Sequence, residues 1–432
     1  MSSCTSVVPS VWRHKTKNSA RLMPSASSEN FEQHSFFAED DPTKQKLLFG
    51  SGSVAQLGSV AKSLGTRALL VTDAGLSKVG HAQKVYQLLK SAGLEVFLYD
   101  RSIENPTDSS VQACKSFADQ SKVDLIVGLG GGSSMDTAKG CNFLLSNGGK
   151  MADYWGVGKA KQAMLPLIAI PTTAGTGSEC QSFALISDDN THKKMACGDA
   201  KALPAITILD PELTISQPSK VTACTGVDAL AHALESAVTS KRNDYSSRHS
   251  GLAFELIEKN LPLVLHNPSD KKARAGILLG ASHAGAAIER SMLGAAHSMA
   301  NPLTARKGIV HGIAVGMSLP LVMNFNAADP DVRKIYSSLA RRTDLATIEH
   351  SDEYAVELLI ERVTQLLKLA GFPGSIAELG VDEHDILILA KDAAEQWTAN
   401  FNPRAIECAD FEALYFQLFH SAVCKPKFFD GG

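Results

Sequence analysis

The sequence predicts an α/β domain built on a mostly parallel sheet, followed by an all-helical domain. Between about residues 40 and 212, short apolar runs alternate with amphipathic stretches, a pattern typical of βαβ units. After Pro211 few strand-like runs remain, and Ala- and Leu-rich stretches with helical spacing continue to about Leu418. The 432 residues are enough for two domains with separate cores.

The individual elements follow in chain order from these patterns. Short apolar and β-branched runs predict the strands Lys46–Phe49, Ala68–Thr72, Val96–Tyr99, Leu125–Leu129, Leu167–Ile170 and Ile206–Leu209. Amphipathic stretches between them predict the helices Val54–Leu64, Ala82–Ala92 and Asp108–Gln120. The second half predicts further helices, among them Val227–Thr239, Ser246–Asn260, Lys272–Glu289 and Glu353–Ala370.

We place the predicted domains at residues 36–212 and 213–432. Residues 1–35 differ from both, because they are rich in serine and carry four Lys and Arg residues with no acidic residue before Glu29. We expect a disordered extension here, and a targeting signal for an organelle or microcompartment is the alternative.

Composition excludes several classes of protein. A net charge of −3 gives no basic field for nucleic acid. The apolar runs are shorter than the roughly 18 residues that span a bilayer, so no membrane segment is predicted. The eight cysteines form no C-x-x-C pair, which argues against a disulfide framework and favours a reducing, cytoplasmic location.

A glycine-rich turn follows the predicted strand that ends at Leu129. Gly130, Gly131 and Gly132 precede Ser133 and a predicted helix start. Glycines let the backbone approach a pyrophosphate closely, and the N–H groups of the first helical turn bind the anion. Asp136 lies in this turn and could accept a hydrogen bond from a ribose or an amide. The alternative is a tight strand–helix turn with nothing bound.

Two further loops favour a dinucleotide. Residues 50–55 read G-x-G-x-x-A, and Asp73 follows about 20 residues later, as the dinucleotide fingerprint requires. Asp73 could bind a ribose hydroxyl pair and repel a 2′-phosphate, which favours NAD over NADP; otherwise it is a solvated loop carboxylate. Thr172, Thr173 and Thr176 line a second loop suited to a diphosphate or ribose, although its end could simply cap a helix.

An aspartate and three histidines in the second half suit a divalent metal. Asp228 and His232 are spaced i,i+4 and share one helix face, while His297 and His311 follow, 14 residues apart. Three imidazoles and one carboxylate suit Zn²⁺ or Fe²⁺ better than Ca²⁺ or Mg²⁺. For the first pair alone, a local polar contact is the alternative interpretation.

These motifs, in this order over about residues 40–420, resemble the iron-containing alcohol dehydrogenase family. Asp210-Pro211-Glu212-Leu213 and Asn402-Pro403-Arg404 match as well. The resemblance implies a dehydroquinate synthase-like fold, an NAD cofactor and bound Fe²⁺ or Zn²⁺. It implies the metal ligands Asp228, His232, His297 and His311, and the cofactor contacts Asp73, Asn105, Gly131, Gly132, Ser133, Asp136, Thr172, Thr173, Thr176 and Lys194.

One position departs from the family pattern. The family usually reads H-x-x-x-H at the third ligand, whereas this chain has Asn301 four residues after His297. An asparagine can hydrogen-bond a substrate hydroxyl but cannot shuttle a proton at neutral pH. Water, the nicotinamide ribose or another group must then move the proton; His283 is a candidate, although it could be an ordinary helix histidine.

The expected reaction is hydride transfer between NAD(H) and a small alcohol or aldehyde, with the metal as Lewis acid. One alternative is a lyase or cyclase on the same fold. Such enzymes grip phosphorylated polyols with several basic residues, and the ligand segments offer only Arg290, Arg306 and Lys307. A non-catalytic scaffold is the second alternative. By analogy with the family, we expect a homo-oligomer.

Overall fold

The first half of the chain is built on a parallel β-sheet. The structure is a computed structural model that describes residues 45–191 and 193–420. Its strands within these residues are β1 (Lys46–Phe49), β2 (Arg67–Val71), β3 (Glu95–Tyr99), β4 (Leu125–Gly130), β5 (Gly156–Val157), β6 (Leu167–Pro171), β7 (Phe183–Ser187), β8 (Lys194–Gly198) and β9 (Ile206–Leu209). Six of them form one sheet in the order β1-β9-β6-β4-β2-β3, with all neighbours parallel.

The sheet is covered by helices on both faces. Along β4, Leu125, Val127 and Leu129 pack into one apolar cluster, while Ile126 points into another on the opposite face. This alternation is the two-residue period of a strand, and burial on both sides explains the nearly continuous apolar run. The helices of this half are α1 (Leu57–Lys62), α2 (Ala74–Lys78), α3 (His81–Ser91), α4 (Asp108–Asp119) and α5 (Gly132–Asn147).

All six predicted strands are present, with ends that differ by at most one residue. The first predicted helix differs more, because residues 53–56 form a 3₁₀ turn before α1 begins at Leu57. The Asp210 carboxylate accepts hydrogen bonds from the N–H groups of Gly52 (3.0 Å) and Val54 (3.3 Å), which fixes the entry to this turn.

A small second sheet was not predicted. It contains β5, β8 and β7 in that order, with β7 and β8 antiparallel. Its strands β7 and β8 are mostly apolar, but the polar turn at residues 188–193 joins them instead of a helix, so the strand–helix alternation that reveals the main strands is missing. This sheet matters because β8 begins with Lys194, one of the predicted cofactor contacts.

The second half is helical in the part of the chain that the structure describes. Its helices are α6 (Ser219–Val238), α7 (Asp244–His266), α8 (Lys271–Arg290), α9 (Ala295–Lys307), α10 (His311–Asn326), α11 (Pro330–Arg342), α12 (Asp352–Leu369), α13 (Ile386–Ala394) and α14 (Cys408–His420). The predicted α/β and helical architecture is therefore confirmed, whereas the exact boundary at residue 212 stays a prediction.

Helix α6 is the centre of the helical half, and residues 226–238 are all buried. Ala, Leu and Val on most of its circumference explain this burial, since a helix that is largely apolar all round must be surrounded. Gly312 lets α10 approach α6 closely, because a Cβ atom there would overlap the Cys224 carbonyl. This contact brings His311, the first residue of α10, next to α6.

Among residues 45–191 and 193–420, no helix has the length and apolar character needed to cross a membrane. The predicted extension at residues 1–35 lies outside the described residues.

Candidate active site

One face of α6 carries three polar side chains in the middle of the protein. Asp228, His232 and Glu235 follow one another at helical spacing and are between 3% and 6% exposed. The Nε2 atom of His232 lies 3.5 Å from Oδ1 of Asp228. Its other ring nitrogen, Nδ1, lies 3.3 Å from the carbonyl oxygen of Gly175 and donates to it. Because a carbonyl only accepts, this contact leaves Nε2 with a lone pair that faces Asp228.

Two more histidines complete this cluster from neighbouring helices. The Nε2 atoms of His297 on α9 and His311 on α10 lie 3.5 Å and 3.9 Å from the same Asp228 Oδ1. The rings of His232 and His297 are stacked with centroids 4.9 Å apart. The structure thus brings together all four predicted metal ligands, although they lie on three different helices.

The donor atoms of this cluster suit a bound divalent cation. Ligand atoms of Asp228, His297 and His311 all lie within 4.8 Å of one another. Among the described residues, Asp228 Oδ1 and His297 Nε2 are buried without a hydrogen-bond partner. Buried polar atoms without partners are costly, and a shared cation would satisfy them. The set of imidazole nitrogens and one carboxylate oxygen fits Fe²⁺ or Zn²⁺.

Charges within the cluster shift the pKa values of its members. Burial alone raises the pKa of Asp228, but His232 and the other two histidines outweigh it and hold that pKa well below its usual value. Burial also opposes the charged form of His297, yet Glu235 and Asp228 together raise its pKa to about 9. In the absence of a cation, His297 is therefore protonated at neutral pH.

Glu235 holds His297 and was not recognised from the sequence. One carboxylate oxygen of Glu235 accepts a hydrogen bond from His297 Nδ1, and the other accepts from the backbone N–H of Ala296 at 2.7 Å. Asn402 also accepts from this end of α9, through the N–H of Ala295 at 3.3 Å. A carboxylate on Nδ1 leaves Nε2 as the atom that faces Asp228, the arrangement by which carboxylates orient metal-binding histidines. The i+7 spacing of Glu235 from Asp228 on one helix face was the sequence signal that could have identified Glu235.

The glycine turn and the threonine loop lie against each other. Gly131 precedes the first turn of α5, and a Cβ atom there would lie 3.2 Å from the Thr173 side chain. At Gly132, the Cβ atom would lie 2.7 Å from the Thr176 side chain, which is too close. The Thr172 N–H donates to the Gly130 carbonyl at 3.0 Å and joins the two loops. The first turn of α5, whose N–H groups have no acceptor within the helix, therefore packs against the threonine side chains of this loop.

Two more of the predicted cofactor contacts lie beside this turn. Asp73 caps α2 by accepting from the Leu76 N–H at 3.1 Å, and its other oxygen accepts from the Ser134 hydroxyl at 3.4 Å. The N–H of Asn105, a residue with φ of 50°, donates to the Ser133 hydroxyl at 3.3 Å. Asp73 is thus a half-buried helix cap, and its role as a ribose contact stays a prediction.

Lys194 interacts electrostatically with Asp136 near the start of α5 and with Asp228 of the histidine cluster. Desolvation raises the pKa of Asp136 to about 6, against the opposing charges of Lys139 and Lys194. Desolvation lowers the pKa of Lys194, while Asp136 and Asp228 act in the opposite direction. Lys194 is therefore within electrostatic range of both halves of the candidate site.

Buried Lys139 supports this region and was not singled out in the sequence. Its Nζ donates to the Ser178 carbonyl at 2.6 Å, the Ser178 hydroxyl at 2.9 Å and the Phe183 carbonyl at 3.0 Å. The Ser178 hydroxyl in turn donates to Asp136 at 3.2 Å. Lys139 thereby ties α5 to the end of the threonine loop.

Two sequence candidates have other roles in the structure. In the G-x-G-x-x-A string the N–H groups of Gly52 and Val54 bind the Asp210 carboxylate, so they are not offered to a phosphate. Nδ1 of His283 lies 2.9 Å from Nδ1 of His249, between α8 and α7. Burial, with His249 as a second cause, lowers the pKa of His283 to about 3. His283 is therefore a neutral histidine of a helix interface, as in the alternative interpretation.

Asn301 lies one helical turn after His297 and hydrogen-bonds another amide. Its Nδ2 donates to Oε1 of Gln396 at 3.0 Å. The next residue, Trp397, stacks on Phe183 of β7 with ring centroids 6.2 Å apart. This aromatic contact links the helical half to the small sheet beside Asn301.

Comparison with known proteins identifies relatives of both halves. A family model described as iron-containing alcohol dehydrogenase matches residues 44–211, and the model of that family's C-terminal part matches residues 222–419. Alcohol dehydrogenase 4 of Schizosaccharomyces pombe is 36% identical over 357 residues, which cover 82% of this chain and 83% of that protein.

A bacterial relative and a crystal structure agree with this result. The NAD-dependent methanol dehydrogenase of Bacillus methanolicus is 34% identical over 368 residues, 85% of this chain and 96% of that protein. The crystal structure of a 1,3-propanediol oxidoreductase superposes with a TM-score of 0.84 at 31% identity, covering 86% of this chain and 97% of that one. These relatives are alcohol dehydrogenases in the wider sense.

Proposed function

The chain belongs to the iron-containing alcohol dehydrogenase family, and on this premise we propose that it interconverts a small alcohol and its aldehyde with NAD and a divalent metal. The observation that carries the proposal is the convergence of Asp228, His232, His297 and His311 beside the threonine loop. Hydride transfer needs a cofactor and an activated oxygen within one cleft, and the closeness of the histidine cluster to the threonine loop supports binding of both.

In this proposal Asp228, His232, His297 and His311 hold Fe²⁺ or Zn²⁺. When bound, such an ion supplies Lewis acidity that favours loss of the alcohol proton or polarises the aldehyde. Gly175 and Glu235 orient His232 and His297 through their Nδ1 atoms. His311 is 29% exposed, whereas His232 and His297 are 7% and 5% exposed, so a substrate approaches most easily from the side of His311.

The proposed cofactor site runs from α2 to β8. The N–H groups of the first turn of α5 and the hydroxyls of the threonine loop bind the diphosphate. Asp73 accepts from the adenosine ribose and disfavours a 2′-phosphate, hence the preference for NAD. When bound, NAD supplies the hydride acceptor. The assigned contacts are Asp73, Asn105, Gly131, Gly132, Ser133, Asp136, Thr172, Thr173, Thr176 and Lys194.

The proton cannot leave through Asn301, because a carboxamide does not titrate near neutral pH. His283 is hydrogen-bonded within a helix interface. Water and the ribose hydroxyls are therefore the proposed route. Asn301 contacts the substrate and does not act as an acid or a base.

The basic residues near the ligand segments argue against a lyase or cyclase. Arg306 is ion-paired with Asp392 and Lys307 with Asp385. A phosphorylated polyol would have to compete with these two carboxylates for the cations. A scaffold without chemistry would not need buried, unpartnered ligand atoms of the kind seen at Asp228 and His297.

The test is NADH oxidation by protein reconstituted anaerobically with Fe²⁺ or Zn²⁺, across a panel of short aldehydes, hydroxyaldehydes and semialdehydes. We expect metal-dependent NADH consumption with at least one carbonyl compound. Consumption of a phosphorylated polyol without net change in NADH would favour the lyase alternative. Bound metal and bound NAD without any turnover would favour the scaffold.

Two further properties belong to this proposal. We expect a homo-oligomer, which light scattering of the purified full chain tests. We expect a cytoplasmic location, with targeting by residues 1–35 as the alternative, and imaging of tagged full-length and shortened chains separates the two.

A further inference from the structure

We propose that buried Lys139 is a positioning residue for the cofactor: through the Ser178 hydroxyl it keeps the Asp136 carboxylate charged and in place, as an acceptor for a hydroxyl or amide group of the bound dinucleotide. This role rests on the proposed function, because it assumes that the dinucleotide binds beside Asp136. It goes further by assigning a function to a lysine outside the predicted contacts and by predicting the pH range in which the cofactor binds.

Lys139 lies about one helical turn after Asp136 on α5, but the two side chains differ in accessibility. Lys139 is 0% exposed, whereas Asp136 is only half-buried. Lys139 therefore cannot contact a bound cofactor, and any effect that it has on cofactor binding must pass through its neighbours. Asp136 keeps accessible surface near the start of α5.

Hydrogen bonds through one hydroxyl group join the charged forms of Lys139 and Asp136. The Nζ of Lys139 has three acceptors, namely the carbonyl oxygens of Ser178 (2.6 Å) and Phe183 (3.0 Å) and the hydroxyl oxygen of Ser178 (2.9 Å). When Asp136 is ionised, the Ser178 hydroxyl gives its only hydrogen to Asp136 Oδ1 at 3.2 Å. The three acceptors then require three N–H donors, which only the ammonium form of Lys139 has.

The surroundings of Asp136 show why this support matters. Desolvation raises the pKa of Asp136 to about 6, although Lys139, Lys194, the Ser178 hydroxyl and the Leu185 N–H all favour the ionised form. Without Lys139, less charge would oppose desolvation, and the carboxyl group would be neutral over a wider pH range. A neutral carboxyl group is a weaker acceptor than a carboxylate, so it would bind a ribose hydroxyl or an amide less well.

Two glutamates also lie near Lys139, but they have hydrogen-bond donors of their own. Burial lowers the pKa of Lys139, and Asp136 opposes this more strongly than Glu289 and Glu179 do. Each glutamate accepts from a serine hydroxyl, at 2.6 Å for Glu179 and 2.7 Å for Glu289. Burial raises the pKa of the two nearby thiols, so they are neutral near pH 7; these are Cys180 and Cys197. The link from Lys139 to the proposed cofactor site therefore runs through Ser178 to Asp136.

The experiment measures the Kd of NADH for the metal-loaded full chain between pH 6 and pH 9 by calorimetric titration. In the wild-type chain we expect the affinity to fall only toward pH 6, where Asp136 takes up a proton. In Lys139→Met the pKa of Asp136 rises by roughly one to three units, because the opposing charge is gone. The variant should then bind NADH at least fivefold more weakly than the wild type at roughly pH 6, and within about twofold of it at pH 9.

Three further variants separate positioning from packing. Ser178→Ala interrupts the relay while Lys139 keeps two carbonyl acceptors, so the pH profile should shift in the same direction as in Lys139→Met. Asp136→Asn removes the titrating group, and its NADH affinity should not vary with pH, with or without Lys139→Met. Lys115→Met, at a surface ion pair with Asp119 on α4, is the matched control and should keep the wild-type profile. Thermal melting and bound metal verify that each variant is folded.

The outcomes distinguish this role from the proposed function. No NADH binding by the wild-type chain at any pH would refute the proposed function, and the role of Lys139 with it. If Lys139→Met weakens binding by the same factor at every pH, the lysine is purely structural and the proposal is overturned alone. A wild-type profile in Lys139→Met or in Ser178→Ala overturns it as well. If Lys139→Met does not fold, Ser178→Ala decides by the same criterion.

Discussion

His232 Nδ1 lies 3.3 Å from the carbonyl oxygen of Gly175, so a metal-binding candidate on α6 is hydrogen-bonded to the loop that carries the candidate cofactor contacts. A Cβ atom at Gly175 would lie 2.5 Å from the Thr225 side chain, so only glycine lets this loop approach α6 so closely. The two halves of the site are therefore physically joined through one imidazole.

This contact predicts linkage between cofactor and metal. Saturating NAD⁺ should order the threonine loop, hold His232 in place and tighten Co²⁺ binding, by a factor within the roughly 5–150-fold range typical of coupled sites. Calorimetric titrations of Co²⁺ with and without NAD⁺, and of NAD⁺ with and without Co²⁺, measure both directions. Linkage requires the two factors to be equal. Independent binding, with a factor of one in each direction, would contradict the coupling.

The second prediction concerns Glu235. Its two oxygens each accept from an N–H group, whereas the amide of a glutamine can accept at only one of these positions. Glu235→Gln should therefore weaken metal binding by about 10–100-fold, the usual cost of losing such a partner. Competition with a chelator gives the affinity.

Glu255→Gln serves as the matched control, because Glu255 pairs with Arg342 and its side chain is 49% exposed. We expect wild-type metal affinity in this control. Equal affinities in the two variants would show that Glu235 does not orient His297.

The third prediction is the pH dependence of metal binding. A pKa of about 9 means that His297 carries a proton at neutral pH, which a cation must displace. Below that pKa, the apparent affinity for Co²⁺ should rise with pH by up to about tenfold per unit, and it should level off above pH 9. Chelator competition between pH 6.5 and 9.5 measures this slope, and in Glu235→Gln it should be shallower. A flat profile in the wild-type chain would contradict the shift.

The fourth prediction concerns the cofactor. Asp73→Asn removes the negative charge but keeps an oxygen that can cap α2. The ratio of kcat/KM for NADPH to that for NADH should rise by roughly tenfold or more, since a 2′-phosphate is no longer repelled. Asp119→Asn, at an exposed ion pair on α4, is the control and should leave the ratio unchanged. If the NADPH to NADH ratio of kcat/KM is unchanged in Asp73→Asn, the ribose does not bind at Asp73.

Local sequence patterns predicted most of the fold. The strands of the main sheet are short apolar runs, and the helices of the second half have clear periodicity. β7 and β8 were missed because a polar turn, and not a helix, joins them, so they lie outside the strand–helix alternation. The cofactor and metal candidates were found through glycines, threonines and histidines at characteristic spacing, and the structure places them around one junction.

Contacts between distant residues could not be predicted in the same way. Glu235 reaches His297 62 residues later, and Gln396 lies 95 residues after Asn301. Residues 50–55 matched a phosphate-binding string, but the N–H groups of Gly52 and Val54 bind the carboxylate of Asp210, far along the chain. Spacing within α6 places Asp228, His232 and Glu235 on one face, whereas the residues that they contact come from elsewhere in the fold.

The most direct test of the central claim is an anaerobic titration of metal-free protein with Fe²⁺, following bound iron and NADH oxidation in the same samples. We expect activity to rise in proportion to bound iron and to saturate at about one ion per chain. Asp228→Ala and His297→Ala should bind no iron tightly and show no turnover. Full activity of the metal-free protein, or of either variant, would contradict the account.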